Sequence, residues 1–238
     1  MTEEVLEATA LSPEVREGLV FVGQTLGPLF LHDPALEREV VWPLYEALAG
    51  ADARALAEEW PFVAADDIEP ALAALIAGLR FDDRESGAEA AALQGSAVHE
   101  DLVWEYRRLF VGPGAKAAPP WGSVYTDKDQ VVFGQATLDL REWLRANTVA
   151  VVKRQSDEPE DHIGTMLELL AWLAEHRSQL VRPYLEQHLL PWAPHFLELM
   201  ETASDQPFFQ GLARTTALTL GGIQHDLDLA VEVPRFYR

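Results

Sequence analysis

The 238-residue chain is 48% apolar, with seven Trp and ten Phe, enough to bury a full core. It contains no cysteine, which excludes a disulfide framework, a thiolate zinc site and a Cys nucleophile. With 39 acidic against 18 basic residues the formal charge is −21, which opposes nucleic acid and anionic membrane surfaces and favours a basic ligand or partner.

The acidic opening 1–14 lacks a basic region followed by an apolar core, so no secretory signal is expected. Apolar runs such as 71–79 fall far short of the roughly 20 residues a spanning helix needs. A cytoplasmic protein without stable membrane insertion is expected. Helix signals then recur in chain order. Ser12 can cap, Pro13 suits a first helical position, and Val15, Leu19, Val22, Leu26 and Leu29 follow a four-three rhythm that predicts one amphipathic helix. Asp33 and Pro34 repeat the device, and Pro43 is expected to start a further short helix ending near Gly50.

Residues 52–59 and 67–79 read as short helices separated by Pro61, and a longer one is expected over 87–110 with Leu102, Tyr106, Leu109 and Phe110 on its apolar side. The stretch 112–127, GPGAKAAPPWGSVYTD, interrupts the helical pattern. Beyond it, 137–147 is helical and 149–155 reads as an extended connector. Pro159 then sits in an expected first helical turn rich in acids, followed by the apolar face Ile163, Met166, Leu167, Leu170 and Leu173. Helices are expected at 182–190, 194–202 and 207–230. With no fixed repeat and no Gly/Ser linker, the prediction is an all-α fold: one multi-helix domain over 1–238, in which 147–158 is the place for a hinge between two helical halves.

The chemistry-bearing groups each have a plain structural explanation. The run from Gly112 to Lys116 lacks Gly-Lys-Ser/Thr and follows a helix, so a glycine-ended helix explains it better than a phosphate cradle. The seven histidines show no His-Glu-x-x-His spacing, and no metal site is expected. Asp161 and His162 are adjacent and so face different ways on a helix; capping explains the first and a half-buried surface position the second. Pro119 and Pro120 stiffen the loop, while Trp121 and Tyr125 offer large amphipathic surfaces that suit either an interface or a core plug.

Two separated stretches carry a resemblance. "EYRRLFVGPGAKAAPPWGSVYTDKDQVVFGQATLDLREWLR" from Glu105 and "EPEDHIGTMLELLAWLAE" from Glu158, continued by "HLLPWAPHFLELME" and "PFFQGLARTTALTL", closely resemble the TorD/DmsD family of redox-enzyme maturation chaperones. The likeness covers roughly Glu105 onward. It implies an all-helical, monomeric cytoplasmic chaperone, not an enzyme, that requires no cofactor. Such a protein binds the twin-arginine signal peptide of a molybdopterin enzyme's catalytic subunit, of the dimethyl-sulfoxide-reductase type. It holds that precursor until cofactor insertion and then releases it to components of the Tat translocon.

The resemblance places peptide-binding roles on Tyr106, Leu109, Phe110, Pro120, Trp121, Pro159, Asp161 and His162. At Gly114 the chain departs from members that carry tryptophan after Gly-Pro. A twin-arginine leader joins two guanidinium groups to a short apolar stretch, so it needs acid and apolar surface side by side. Leu109, Phe110 and Trp121 suit the apolar part, and Asp161 with Glu158 or Glu160 suits the arginines. The rival reading is a nucleotide- or metal-dependent hydrolase that uses Asp161 and His162 or the Gly112 loop, with a guanine nucleotide as its ligand.

Overall fold

The computed structural model describes residues 11–80, 97–112, 116–150 and 158–238. Ser12 opens α1 (Pro13–Leu31): its Oγ accepts the Val15 N–H at 3.2 Å while Pro13 fills the first helical position. Of the predicted stripe, Leu19, Val22, Leu26 and Leu29 are fully buried and Val15, in the first turn, is half-buried. At 33–37 the chain makes a turn instead of a helix, with Asp33 Oδ1 accepting the N–H groups of Ala35 and Leu36. Only then does α2 (Arg38–Gly50) begin, so Pro43 lies inside this helix and does not start it. The Glu37 carbonyl already accepts from Val40 and Val41, which closes the first turn before the missing N–H of Pro43 is reached.

Helices α3 (Ala53–Glu59) and α4 (Ala65–Leu79) fall close to their predicted places, and Asp52 caps α3 through the Ala55 N–H. Helix α5 (Ala97–Tyr106) widens into a π turn, Arg107–Val111, which Gly112 ends at φ 100°, a value that glycine adopts without strain. The part of this predicted helix before residue 97 lies outside the described residues. The order continues with α6 (Gly122–Thr126), α7 (Gln135–Ala146), α8 (Ile163–His176), α9 (Val181–Tyr184) running into a second π turn (Leu185–Leu189), α10 (Ala193–Ala203) and α11 (Pro207–Asp226). Residues 151–157, which hold most of the expected connector and hinge, lie outside the described residues. Helix α11 stops four residues before the predicted end, and 227–238 continues without helix or strand.

Contacts group the chain into two units. Unit one comprises Met1–Leu31, Pro120–Phe196 and Thr219–Arg238; unit two comprises His32–Pro119 and Leu197–Leu218. In unit one, α1 lies directly on α8, whose predicted face of Ile163, Met166, Leu167, Leu170 and Leu173 is buried. The Tyr184 hydroxyl donates to the Met166 carbonyl at 2.7 Å and ties α9 to the same helix.

Unit two has an aromatic core in which Tyr45 meets Phe208 at 5.2 Å, Phe208 meets Phe209 at 4.9 Å, and Phe209 meets Phe110 at 6.1 Å. A polar clasp joins α5 to the end of α10. Glu105 receives a two-point contact from Arg108 at 2.7 and 2.8 Å, the Ser204 hydroxyl at 2.8 Å and the Asp205 N–H at 3.2 Å. Burial works to raise the Glu105 carboxyl, but Arg108, Ser204 and Asp205 outweigh it and hold it below the usual range. Because the folded value is the lower one, the clasp stabilises fully above the unfolded glutamate value of about 4.3 and is lost as pH falls through the folded value. Glu105→Gln is expected to cost about 2 kcal/mol at pH 7 and to flatten the dependence of the urea midpoint on pH below about 4.3.

Candidate functional site

Two motifs that lie far apart in sequence meet in unit one through an antiparallel bridge between Trp121 and His162. The Gly122 N–H donates to the Asp161 carbonyl at 3.2 Å, and the Ile163 N–H donates to the Pro120 carbonyl at 2.8 Å. The two rings meet edge-on, 6.1 Å between centroids. Pro120, Trp121, Pro159, Asp161 and His162, five of the eight residues singled out by resemblance, are thus gathered on two facing backbone segments.

The turn at 158–162 is not the first turn of a helix. Helix α8 starts at Ile163, and His162 is its N-cap, its Nδ1 accepting the Gly164 N–H at 3.1 Å. That bond leaves Nδ1 unprotonated. Pro159 precedes the helix, and the acids around it face inward contacts instead of the helix dipole. Glu158 accepts the Trp121 indole N–H at 2.6 Å, and Glu160 accepts from Arg141 at 2.6 Å. Asp161, only 2% exposed, uses both oxygens: Oδ2 accepts the Ser123 N–H at 2.7 Å and Oδ1 accepts the Thr137 hydroxyl at 2.8 Å. Its carboxylate therefore pins the starts of α6 and α7 to the turn ahead of α8.

Beside this junction lies a cavity of 880 Å³, lined entirely from unit one. Asp139, Asp161, Glu186 and Glu232 contribute carboxylates to it, while Met166 and Trp192 supply apolar wall. No Lys or Arg is among the described residues that line it. His188 also lines it, and burial pushes this imidazole down to about 4 against the opposing pull of Asp139, so it is neutral at pH 7. The cavity thus offers acid beside apolar surface; of its four carboxylates, Glu186 is paired from outside the lining by Arg182 at 3.3 Å.

Sequence reasoning did not find Asp139, Glu186, Glu232 or Trp192. Glu186 sits in a π turn, whose register a 3.6-residue period does not index, and Glu232 lies in the segment after the last helix. Asp139 was within a correctly placed helix but carried no local signal.

Tyr106, Leu109 and Phe110 belong to unit two and are buried there. Tyr106 and Phe110 pack edge-on at 5.1 Å, so a peptide would reach this cluster only with that packing opened. Gly114 lies outside the described residues. Among the described residues, no three His, Asp or Glu side chains are grouped as a metal would require. None of the described helices is long and apolar enough to cross a membrane.

Comparison with known proteins gives this arrangement a context. The nitrate reductase delta subunit family matches residues 67–198, more than half of the chain. The Tat proofreading chaperone DmsD of Salmonella typhi is 36% identical over 224 residues, 94% of this chain and 97% of that protein. The chaperone protein TorD of Vibrio cholerae is 34% identical over 138 residues, 53% of this chain and 60% of that protein. The chaperone protein YcdY of Escherichia coli is 27% identical over 140 residues, 57% and 70% of the two chains.

The class defined by the helical fold and these matches is that of redox-enzyme maturation chaperones, not of enzymes. The chain belongs to the nitrate reductase delta subunit family, together with the DmsD and TorD chaperones. The hydrolase reading of Asp161, His162 and the Gly112 loop finds no support among these relatives.

Proposed function

We propose that this chain is a cytoplasmic, monomeric chaperone that binds the twin-arginine signal peptide of a molybdopterin oxidoreductase precursor. It holds that precursor until the cofactor is inserted and then releases it to the Tat translocon. The observation that carries the reading is the unit-one cavity, where four carboxylates, with no Lys or Arg among the described lining residues, lie beside an apolar wall, next to the Trp121–His162 bridge. A pair of guanidinium groups matches the carboxylates through charge-assisted hydrogen bonds, and an apolar leader stretch matches Met166 and Trp192.

Within that reading the sequence motifs have distinct tasks. Pro120 and Pro159 stiffen the two facing segments, and His162 sets where α8 begins. Trp121, held at its indole N–H by Glu158, is buried beside them at 9% exposure, so its ring packs the junction and meets a peptide only at its edge. Asp161 holds the corner together and lends its charge to the cavity. The formal charge of −21 speeds encounter with a basic segment and makes the association rate salt-sensitive.

Isothermal titration with a synthetic peptide, two adjacent arginines followed by a leucine-rich stretch, tests the proposal. Replacing both arginines by alanine is expected to weaken binding tenfold or more, about 1.4 kcal/mol. Trp121→Ala is expected to weaken binding while the helical circular-dichroism signal is retained. Equal affinity for the arginine and alanine peptides would sink the charged part of the reading.

A further inference from the structure

The segment after α11 is laid across unit one as an extended strap with two attachments. At the first, Arg182 donates to the carbonyls of Leu227 and Asp228, and the Ala230 N–H donates to Glu186 at 3.1 Å. At the second, Phe236 stacks on His195 with centroids 4.2 Å apart, and His195 Nε2 donates to the Arg238 carbonyl at 2.7 Å. The Tyr237 N–H donates to the Tyr125 carbonyl at 2.9 Å, and the Gln130 amide donates to the Tyr237 carbonyl at 2.7 Å.

Between the attachments the strap becomes a wall of the acidic cavity, through Ala230, Val231, Glu232 and Pro234. It is thinly held there: Val233 is 72% exposed, and Glu232 and Arg235 are exposed too. Its far end combines two arginines, Arg235 and Arg238, with two aromatic rings, in a chain of charge −21. That pairing of cation and apolar surface is the chemistry the cavity suits in a partner.

We propose that the segment 230–238 is an intramolecular strap that keeps the acidic cavity covered, and that a basic peptide must release its second attachment to enter. The proposal rests on the peptide-binding reading above. A strap that is closed most of the time scales apparent affinity down to the open fraction, so loosening it tightens binding without adding a contact. Phe236 is the point to loosen, because it packs on His195 at the attachment and is not among the residues lining the cavity.

The full chain with Phe236→Ala is expected to bind the arginine-pair peptide about fivefold more tightly than the parent in isothermal titration. Gln130→Ala, which removes one hydrogen bond of the second attachment from the other partner, is expected to shift affinity the same way. Since the chain has no cysteine, Val233→Cys with a spin label reports the strap directly, and its spectrum is expected to sharpen as peptide is added. Equal or weaker binding by both variants, or a label whose mobility is unchanged at saturating peptide, overturns the strap and leaves peptide binding itself standing. Absence of binding by parent and variants alike overturns the peptide reading and the strap with it.

Discussion

Asp161→Ala is expected to lower unfolding stability by about 3 kcal/mol, because it removes a carboxylate that accepts two hydrogen bonds and leaves both donors without it. The Ser123 N–H is buried at the start of α6 and the Thr137 hydroxyl is buried in α7, so neither regains a partner unless water enters from the cavity. Asp161→Asn is expected to cost about half as much, since the amide oxygen can still accept the Ser123 N–H while the Thr137 hydroxyl turns to accept from the amide. Urea denaturation of the two variants checks this, and equal midpoints for Asp161→Ala and the parent would show that the corner does not depend on the carboxylate.

This result bears directly on how binding data should be read. A loss of peptide affinity in Asp161→Ala reports the α6–α7 corner as much as any contact with an arginine. Asp161→Asn separates the two: it keeps the corner and removes the charge that the residue lends to the cavity. Weak binding in a stably folded Asp161→Asn protein would place the effect in electrostatics, whereas parent-like binding would assign Asp161 to architecture alone.

The same residue shows what was legible beforehand. Asp161 and His162 stood out in the sequence, as did Pro120 and Trp121, and the Trp121–His162 bridge does bring those four together. The local roles of Asp161 and His162 differ from the sequence reading, because acids ahead of an apolar run look like a helix's first turn, whereas the helix starts only at Ile163. The groups that claim Asp161 come from Ser123 and Thr137, separated from it by 38 and 24 positions, and no local pattern encodes such pairings. Pro43 was misplaced for a related reason: the turn closed by Asp33 and Glu37 starts α2 early, so the proline is carried inside a helix already begun. Strong periodicity over a long run, as in α1 and α8, needed no such tertiary information. The cavity needed the most, since its walls come from α7, a π turn and the final segment together.

The contact between α1 and α8 yields the other large effect. Gly23→Ala is expected to cost about 3 kcal/mol, although alanine in a helix interior is ordinarily favoured over glycine by about 1 kcal/mol. A Cβ at Gly23 would stand 2.3 Å from the Leu167 carbonyl oxygen and 2.7 Å from the Ala171 Cβ. Both obstacles are on α8, and the carbonyl belongs to its backbone, so no side-chain rotation relieves the clash and the helices must move apart. Gly221→Ala is the matched control, because nothing lies within 4 Å of its Cβ position and it is exposed in α11; it is expected to gain about 0.5 kcal/mol. A comparable midpoint for the two variants in urea would show that α1 and α8 separate at little cost. If the expected difference is found, the consequence reaches the site, because α8 begins at the His162 cap and the Ile163 N–H holds Pro120. A helix displaced by one methyl group then shifts one side of the Trp121–His162 bridge, and Gly23→Ala should weaken peptide binding from a position that touches no part of the cavity.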